Sequence, residues 1–359
     1  MQTTARTASQ AIQSRASDLA QRWPRTSLRS LRRDVPGYVA MVVLCTLIVL
    51  PFLWMVLSSF KPRTELFSYP PTFLPARWTL GNYSGLLLYP RLNEDFTRPE
   101  FISLNETKRQ KYLDENYPSW ADIDYRTVAT LTSGQVQVLR NSSLQRIYFN
   151  AIRIFLFAAI GTVVIGGLAG YAFAKIDFPG REVLFVLLLS SMMIPWMTVL
   201  LPRYLLFRRL GWVGGPLPLF VPELLFGTPF AIFFFRQHFR TIPSELIEAA
   251  IVDGANHWQI FWRVMMPLSK TVVLSLIFFT LLFKWNDLTG PLIYLTDTKE
   301  YTPTLMLYQM MKAVGNERDP SATGLRMAGA VLTVLPVLVT FFFAQRYFIS
   351  GLTQGAVKE

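Results

Sequence analysis

Residue types that usually carry catalysis are scarce in this chain. It has one cysteine, Cys45, and two histidines, His238 and His257, which stand far apart from the cysteine in sequence. The chain contains no Gly-Lys dipeptide, so it lacks the Gly-x-x-x-x-Gly-Lys-[Ser/Thr] loop that cradles nucleotide phosphates. The patterns His-Glu-x-x-His and Gly-x-Ser-x-Gly and any cysteine–histidine cluster are also missing from the sequence. We therefore expect no catalytic residue, no metal site and no cofactor bound by this chain.

The remaining candidates for chemistry are polar groups within an otherwise apolar segment. Lys284 and Asp287 stand one helical turn apart and could pair with each other, and Trp285 and Asn286 lie between them. Ionisable groups are costly inside a membrane, so they indicate a functional position. An aromatic ring beside amide and carboxylate groups suits a sugar, which makes these four residues a possible substrate pathway. The alternative is that they anchor the helix at the membrane interface.

Two further charges lie inside apolar segments. Glu223 is either a pathway residue or the outer boundary of its segment, and we favour the boundary. Arg153 is expected to extend its guanidinium outward to the interface instead of binding substrate.

The composition indicates that these segments cross a membrane. Of the 359 residues, 52% are hydrophobic and only 16% are charged, and the mean hydropathy is +0.32. Soluble proteins carry about 25% charged residues. The net charge of +12 would suggest nucleic acid in a soluble protein. Here the tail over 1–36 contains seven arginines and two aspartates, a net charge of +5. This excess of basic residues places the tail in the cytoplasm, so the net charge is no longer an argument for nucleic-acid binding.

Uncharged runs of the length that spans a bilayer predict an all-α integral membrane protein with six transmembrane helices, both termini being cytoplasmic. The predicted spans are 37–60, 148–174, 182–202, 218–236, 271–295 and 326–348. The external segments are then 61–147, with an insertion at about 86–145, and 296–325. The cytoplasmic segments are the loop 237–270 and the tail 349–359. The insertion is either an elaborated loop, with a short helix over 107–116, or a docking surface for an external partner.

Glycines and prolines within the spans predict how the helices pack and bend. Gly166 and Gly170 form a Gly-x-x-x-Gly pair, which lets a neighbouring helix approach closely. Pro195, Pro229 and Pro336 lie inside predicted spans and should kink them.

The cytoplasmic loop 237–270 carries the most specific local pattern. A proline, acidic residues, two alanines and a glycine follow one another as expected for a short helix with a small-residue face and a sharp end. The residues concerned are Pro243, Glu245, Glu248, Ala249, Ala250, Asp253 and Gly254. A second amphipathic helix should follow and stop at Pro267. From local physics alone, two interpretations are equally good. The two short helices either insert into a recess of another subunit or form an ordinary loop at the membrane interface.

This loop resembles the signature of permease subunits of binding-protein-dependent ABC importers. The signature is Glu-Ala-Ala-x-x-x-Gly, nine residues and an aliphatic-x-aliphatic-Pro, which stands here as Glu248-Ala249-Ala250, Gly254 and Val264-Met265-Met266-Pro267. Other segments narrow the resemblance to the smaller permease of maltose-type carbohydrate importers. They are Ser58-Ser59-Phe60-Lys61-Pro62, Trp78-Thr79-Leu80-Gly81-Asn82-Tyr83, Tyr171-Ala172-Phe173-Ala174-Lys175, Phe178-Pro179-Gly180-Arg181, Met192-Met193-Ile194-Pro195, Trp285-Asn286-Asp287 and residues 351–358.

The resemblance implies a type I ABC importer permease fold whose loop is a coupling helix docked on a separate ATP-binding subunit. It carries the contact role to Glu245, Glu248, Ala249, Ala250, Asp253, Gly254 and Pro267, and a tail contact with the same subunit to Gln354 and Gly355. Its implied partners are a second permease forming a heterodimer, two subunits that bind ATP and magnesium, an external solute-binding protein and the lipid bilayer of a prokaryotic inner membrane.

The function implied is import of a carbohydrate or related polyol by alternating access. The alternative is a membrane-embedded enzyme or signalling scaffold that is not coupled to an ATPase. The resemblance begins at about residue 37 and does not cover the insertion at about 86–145.

Overall fold

The computed structural model of the protein describes residues 28–66, 68–83, 86, 103–116, 144–313 and 320–356. Contacts divide the chain into two units, one ending at Trp54 and one beginning at Met55. Most of the basic tail over 1–36 and most of the insertion at about 86–145 lie outside the described residues. Within the insertion the described part includes a helix over Glu106–Asn116, where the sequence predicts one over 107–116.

Across these ranges the regular structure is helical, and the single β-bridge described, between Gly214 and Leu295, is isolated. The helices are α1 (Leu28–Ser59), α2 (Arg63–Leu66), α3 (Glu106–Asn116), α4 (Leu144–Lys175), α5 (Arg181–Ser191), α6 (Leu200–Arg209), α7 (Leu217–Phe226), α8 (Pro229–Thr241), α9 (Glu245–Val252), α10 (His257–Leu268), α11 (Lys270–Asn286), α12 (Thr289–Tyr294), α13 (Pro303–Ala313) and α14 (Pro320–Ala356). The all-helical expectation is confirmed for this part of the chain.

Four helices in the described ranges are long and apolar enough to cross a membrane. They are Val35–Ser59, Leu144–Lys175, Leu217–Thr241 and Thr323–Gln345. A fifth crossing is possible where α10 and α11 meet at 81°. Ser269 separates these two helices, and its hydroxyl donates to the carbonyl of Met265 at 2.7 Å.

The segment 182–202, predicted as one span with a kink at Pro195, is divided between α5 and α6. These helices have 11 and 10 residues, and a non-helical stretch that contains Pro195 separates them. Proline has no backbone N–H to donate and its ring blocks the preceding turn, so it favours such a break. Pro336, by contrast, lies inside the continuous helix α14.

Helix α4 is the element against which α7, α8 and α11 pack. Its glycines make this possible. A Cβ atom built on Gly166 would lie 3.0 Å from the Cβ of Ala231, and one built on Gly170 would lie 2.5 Å from the Cβ of Phe235. The predicted close approach at the Gly-x-x-x-Gly pair is therefore confirmed, with α8 as the partner.

The span formed by α7 and α8 is broken in its middle. Gly227 has a φ of +64°, Thr228 is extended, and Pro229 begins α8. The hydroxyl of Thr228 accepts a hydrogen bond from the backbone N–H of Ala231 at 3.2 Å, which caps the second half-helix. On the α7 side of the break, a Cβ on Gly161 of α4 would overlap the carbonyl oxygen of Glu223.

Two hydrophobic clusters form the interior of the described ranges, and α7 contributes to one of them and α8 to the other. The α7 cluster joins α7 with the first half of α4, α12, α13 and the start of α14, and it includes Ile154, Phe220, Tyr294, Leu305 and Leu325. The α8 cluster joins α8 with the second half of α4, α9, α10 and α11, and it includes Tyr171, Phe235, Ile247, Phe261 and Leu276. The halves of the broken span therefore belong to different cores.

The segment after α1 folds back on itself through two of the motifs noted above. The backbone N–H of Thr79 donates to the carbonyl of Phe60 at 2.9 Å, and the amide of Asn82 donates to the carbonyls of Ser59 and Lys61. Lys61 is buried, and its ammonium group donates to the carbonyl of Thr72. These bonds satisfy polar groups that burial would otherwise leave unpaired.

We predict that Gly170→Ala destabilises the protein, because the new methyl group would meet the Cβ of Phe235 at 2.5 Å. Overpacking of this kind costs about 1–3 kcal/mol. Gly329→Ala is the matched control, since its Cβ would meet Leu307 at an ordinary 3.5 Å. Thermal unfolding of both variants in detergent measures the difference, and equal unfolding temperatures would contradict the proposed packing.

Candidate functional site

Helix α9 forms an exposed surface whose one buried residue is Ile247, while Ala250 packs partly against the same α8 cluster. Ile247 is 6% exposed and packs in the α8 cluster. Glu245, Glu248 and Ala249 are exposed. A two-turn helix with one buried position leaves its opposite face free for another surface.

The end of α9 is a sharp reversal, as the sequence predicts. Gly254 has a φ of +82°, a left-handed conformation that glycine adopts without strain. The N–H of Ala255 then donates to the carbonyl of Ala250 at 2.9 Å. Asn256 and Gln259 cap the start of α10 reciprocally, each side chain bonding the other's backbone N–H at 2.9 Å.

The other predicted contact residues of this loop are also accessible. Asp253 and Pro267 are exposed, and Ala250 is partly buried. The surface thus contains most of the residues that the resemblance assigns to it.

Sequence reasoning missed three apolar residues on the same surface. Val252 is 87% exposed, Ile251 50% and Leu246 46%. Exposed aliphatic side chains beside acidic ones are typical of a protein interface. The sequence does intersperse these aliphatic residues with Glu245, Glu248 and Asp253, and this mixture could have indicated an interface.

The end of helix α4 ties the α9 surface to the membrane-spanning helices. The ammonium group of Lys175 donates to the carbonyl of Ile242 at 2.6 Å, just before α9. The hydroxyl of Tyr171 lies 3.0 Å from Nδ1 of His257, at the start of α10. The helix therefore holds the loop on both sides of α9.

Arg236 links α8 to the neighbouring helices α4 and α5. It is 5% exposed, and one guanidinium nitrogen donates to both carboxylate oxygens of Glu182 at 3.1 Å. The guanidinium carbon stands 3.8 Å from the ring centroid of Phe185, and Nε donates to the carbonyl of Phe173 at 3.3 Å. A planar guanidinium can satisfy a carboxylate, a ring and a carbonyl together, which an ammonium group cannot.

A second polar site joins α7 to α11. The ammonium group of Lys284 lies 2.6 Å from Glu223 and donates to the carbonyl of Leu219 at 2.8 Å. The expected pairing of Lys284 with Asp287 is therefore wrong. Helix α11 ends at Asn286, and Asp287 instead accepts a hydrogen bond from the backbone N–H of Gly290 at 3.0 Å.

Of the four residues predicted to form a substrate pathway, the structure brings three together. Lys284, Asn286 and Asp287 line a common cleft. Trp285 is 4% exposed, lies outside that cleft, and donates its indole N–H to the carbonyl of Thr333 at 2.8 Å. Trp285 packs α11 on α14, and its ring lies 5.8 Å from that of Tyr148.

Two clefts meet at the ion pair. One has a volume of about 680 Å³ and the other about 230 Å³, and Glu223, Lys284 and Asp287 line both. The smaller cleft also contains Trp196 and Arg203, which sequence reasoning did not select. Trp196 lies in the turn before α6 and Arg203 lies on α6. They reach the cleft only through tertiary packing, which no local sequence pattern indicates.

Arg153 is also paired within the protein. Its guanidinium group contacts the carboxylate of Glu300, so the expectation that it extends outward is wrong. Beside it, the amide of Asn150 donates to the carbonyls of Lys299 and Tyr301. The chain passes back over α4 after α12, which brings Glu300 beside Arg153. The two residues are far apart in sequence, so their pairing was not predictable from local patterns.

The predicted tail residues Gln354 and Gly355 lie near the end of α14, which continues to Ala356. Their backbone is helical, and their contact with an ATP-binding subunit stays a prediction.

Comparison with known proteins gives consistent matches. Residues 162–354 match the family described as "Binding-protein-dependent transport system inner membrane component". The chain is 35% identical over 222 residues to the osmoprotective compounds uptake permease protein GgtD of Synechocystis, covering 62% of this chain and 73% of the relative. It is 35% identical over 211 residues to the arabinooligosaccharides transport system permease protein AraQ of Bacillus subtilis, covering 59% and 73%.

Two matches extend over most of the chain. The diacetylchitobiose uptake system permease protein NgcG of Streptomyces coelicolor is 24% identical over 336 residues, which cover 93% of this chain and 92% of the relative. A solved bacterial ABC transporter involved in the import of the acidic polysaccharide alginate shares the fold, with a TM-score of 0.67. At 18% identity, that match covers 91% of this chain and all of the solved one.

The glycine-packed spans, the exposed α9 surface and the family match lead to one conclusion. The chain belongs to the family of binding-protein-dependent transport system inner membrane components, and it is a membrane-spanning permease subunit of an ABC importer.

Proposed function

We propose that this permease moves a carbohydrate or related polyol across the inner membrane by alternating access. The names of its relatives support this substrate class, since arabinooligosaccharides and diacetylchitobiose are carbohydrates. The single observation that carries coupling to an ATP-binding subunit is the α9 surface, which is exposed yet anchored through Ile247 to the core of the membrane-spanning helices.

Helix α9 is the coupling element, and an ATP-binding subunit covers its exposed face. Glu245, Glu248 and Ala249 make the contact, with Gly254 forming the corner. Movement of α9 is passed on through Ile247 to α8 and through Lys175 to α4. The transporter then alternates between inward-open and outward-open forms, which ATP binding and hydrolysis favour in turn.

Six crossings with both termini in the cytoplasm account for the helices and the basic tail together. In this arrangement α5 and α6 form the third crossing, interrupted at Pro195, and α11 with α12 forms the fifth. Helix α10, which meets α11 at 81°, then belongs to the cytoplasmic loop and not to the crossing. Interrupted helices are tolerated in membranes where the protein itself covers the freed backbone groups.

The assembly contains a second permease in a heterodimer with this one, two ATP-binding subunits and an external solute-binding protein. ATP and magnesium belong to the ATP-binding subunits, because this sequence has no phosphate-binding loop. The tail residues Gln354 and Gly355 extend the contact with those subunits.

The proposed topology predicts which loops an impermeant reagent reaches. Cys45 is the one cysteine in the sequence, so Cys45→Ser gives an unreactive background. In right-side-out vesicles an impermeant maleimide should label Leu74→Cys at once, and Asp177→Cys only after detergent opens the membrane. The side chains replaced are 63% and 97% exposed. Labelling of both before detergent would contradict the span count, and the reverse pattern would invert the orientation.

We predict that Glu248→Lys and Gly254→Asp each lower uptake at least about tenfold, which corresponds to about 1.4 kcal/mol of lost coupling. The first reverses a charge on the face covered by the ATP-binding subunit. The second places a side chain at a φ of +82° on the same corner. Uptake, membrane abundance and retention of the ATP-binding subunit are measured together.

Glu115→Lys is the control for this experiment, since Glu115 is an exposed acid on α3, away from the coupling loop. It should leave retention of the ATP-binding subunit unchanged, whichever role the insertion has. Normal uptake in both α9 variants would overturn the coupling assignment.

A further inference from the structure

The larger of the two clefts holds hydrogen-bonding groups beyond the ion pair. Thr162 is 2% exposed and lines this cleft, and its hydroxyl oxygen has no hydrogen-bond partner among the described residues. A buried hydroxyl without a partner is destabilising by about 1–3 kcal/mol, so its position indicates a partner from outside the chain. Thr162 sits on α4 and lines the cleft together with Thr228, which lies at the break between α7 and α8.

Three other polar side chains in the cleft keep unused hydrogen-bonding capacity. Thr228 accepts from Ala231 and retains its own O–H donor. Thr280 donates to the carbonyl of Leu276 and retains its acceptor lone pairs. Asn286 donates through its amide nitrogen to Leu282, which leaves its oxygen as an acceptor. The cleft thus offers both donors and acceptors, which hydroxyl groups can bond in both roles.

Phenylalanine rings complete the lining. Phe230, Phe279 and Phe283 line the same cleft, and the rings of Phe230 and Phe279 meet edge to face at 6.0 Å. Apolar walls with a few placed polar groups are the usual composition of a small-molecule site. The C–H faces of a sugar ring fit such walls while its hydroxyls bond the threonines.

The formal charges in the cleft select among polar solutes. Lys284 is paired with Glu223 at 2.6 Å, so it offers no free positive charge to a solute. Asp287, which accepts from the backbone N–H of Gly290, adds a second carboxylate to the lining. An anionic solute would have to displace Glu223 from Lys284 and would also meet Asp287, whereas a hydroxyl group can donate to either carboxylate. A neutral polyhydroxy compound can bond both groups without separating them.

We propose that this cleft binds a neutral polyhydroxy compound during its passage, with Thr162 and the Glu223–Lys284 pair as specificity-determining residues. The proposal rests on the function proposed above and deepens it, because it places a solute site within this chain and names its chemistry. The pair lies where the two clefts meet, so a solute that moves between them passes it.

The test uses the complete importer in proteoliposomes, with radiolabelled lactose, trehalose and raffinose as probes. The measured quantity is sugar accumulated per ATP hydrolysed, for the probe that the unaltered importer moves best. Thr162→Val should lower this ratio about fivefold, as expected for one lost hydrogen bond. Thr162→Ser keeps the hydroxyl and should restore the ratio.

A purely structural role for Thr162 would give a different result. Its hydroxyl bonds nothing in the described structure, so Thr162→Val should leave thermal stability equal or higher and stimulated ATP hydrolysis unchanged. Glu223→Gln is the second variant, and it should lower the ratio for neutral sugars about tenfold because Lys284 then stands uncompensated. Unchanged ratios in Thr162→Val and Glu223→Gln would overturn the cleft assignment while leaving the proposed function intact.

A separate result would contradict the proposed function itself. An unaltered importer that hydrolyses ATP but accumulates none of the three sugars would overturn the carbohydrate assignment, and the cleft proposal would fall with it. Occupation of the cleft by the second permease, seen as a crosslink from Thr162→Cys to that subunit, would overturn the cleft proposal alone.

Discussion

The glycine face of α4 is the constraint on which the other features depend. At Gly161, Gly166 and Gly170 the adjacent broken span approaches so closely that a methyl group would meet it. Larger side chains there would hold α7 and α8 away from α4. The ion pair, the cleft and the attachment of α9 all lie on elements positioned by this contact.

The broken span is stabilised by a different ion pair on each side of its break. Glu223 on α7 bonds Lys284 of α11, and Arg236 on α8 bonds Glu182 of α5. The two halves also contribute to separate hydrophobic clusters. Each half is therefore attached to a different set of side chains, and the non-helical link at Gly227 and Thr228 joins them.

Local features of this protein were readable from the sequence. Helix α9 and its reversal at Gly254 depend on residues within one or two turns, so the pattern of acids, alanines and glycine sufficed. The same holds for the Gly166–Gly170 pair, although its partner α8 was not identifiable. Motif spacing also carried the family resemblance, which the match over residues 162–354 confirms.

Features that depend on distant residues were not readable. The pairing of Lys284 with Asp287 assumed a continuous helix, but α11 ends at Asn286 and the true partner, Glu223, is 61 positions away. Arg153 likewise meets Glu300 only because the chain returns to α4. Trp285 and Asn286 are adjacent in sequence, yet one packs on α14 and the other lines the cleft. The position of a residue along α11 does not show which neighbouring helix its side chain will contact.

The closeness of Glu223 and Lys284 also has an electrical consequence. A single charge that moves through the membrane field exchanges about 2.3 kcal/mol with it for every 100 mV crossed. The two formal charges here sum to zero within 2.6 Å, so a joint movement of this pair transfers no net charge through the field. The pair itself therefore adds no voltage dependence to a movement of α7 with α11.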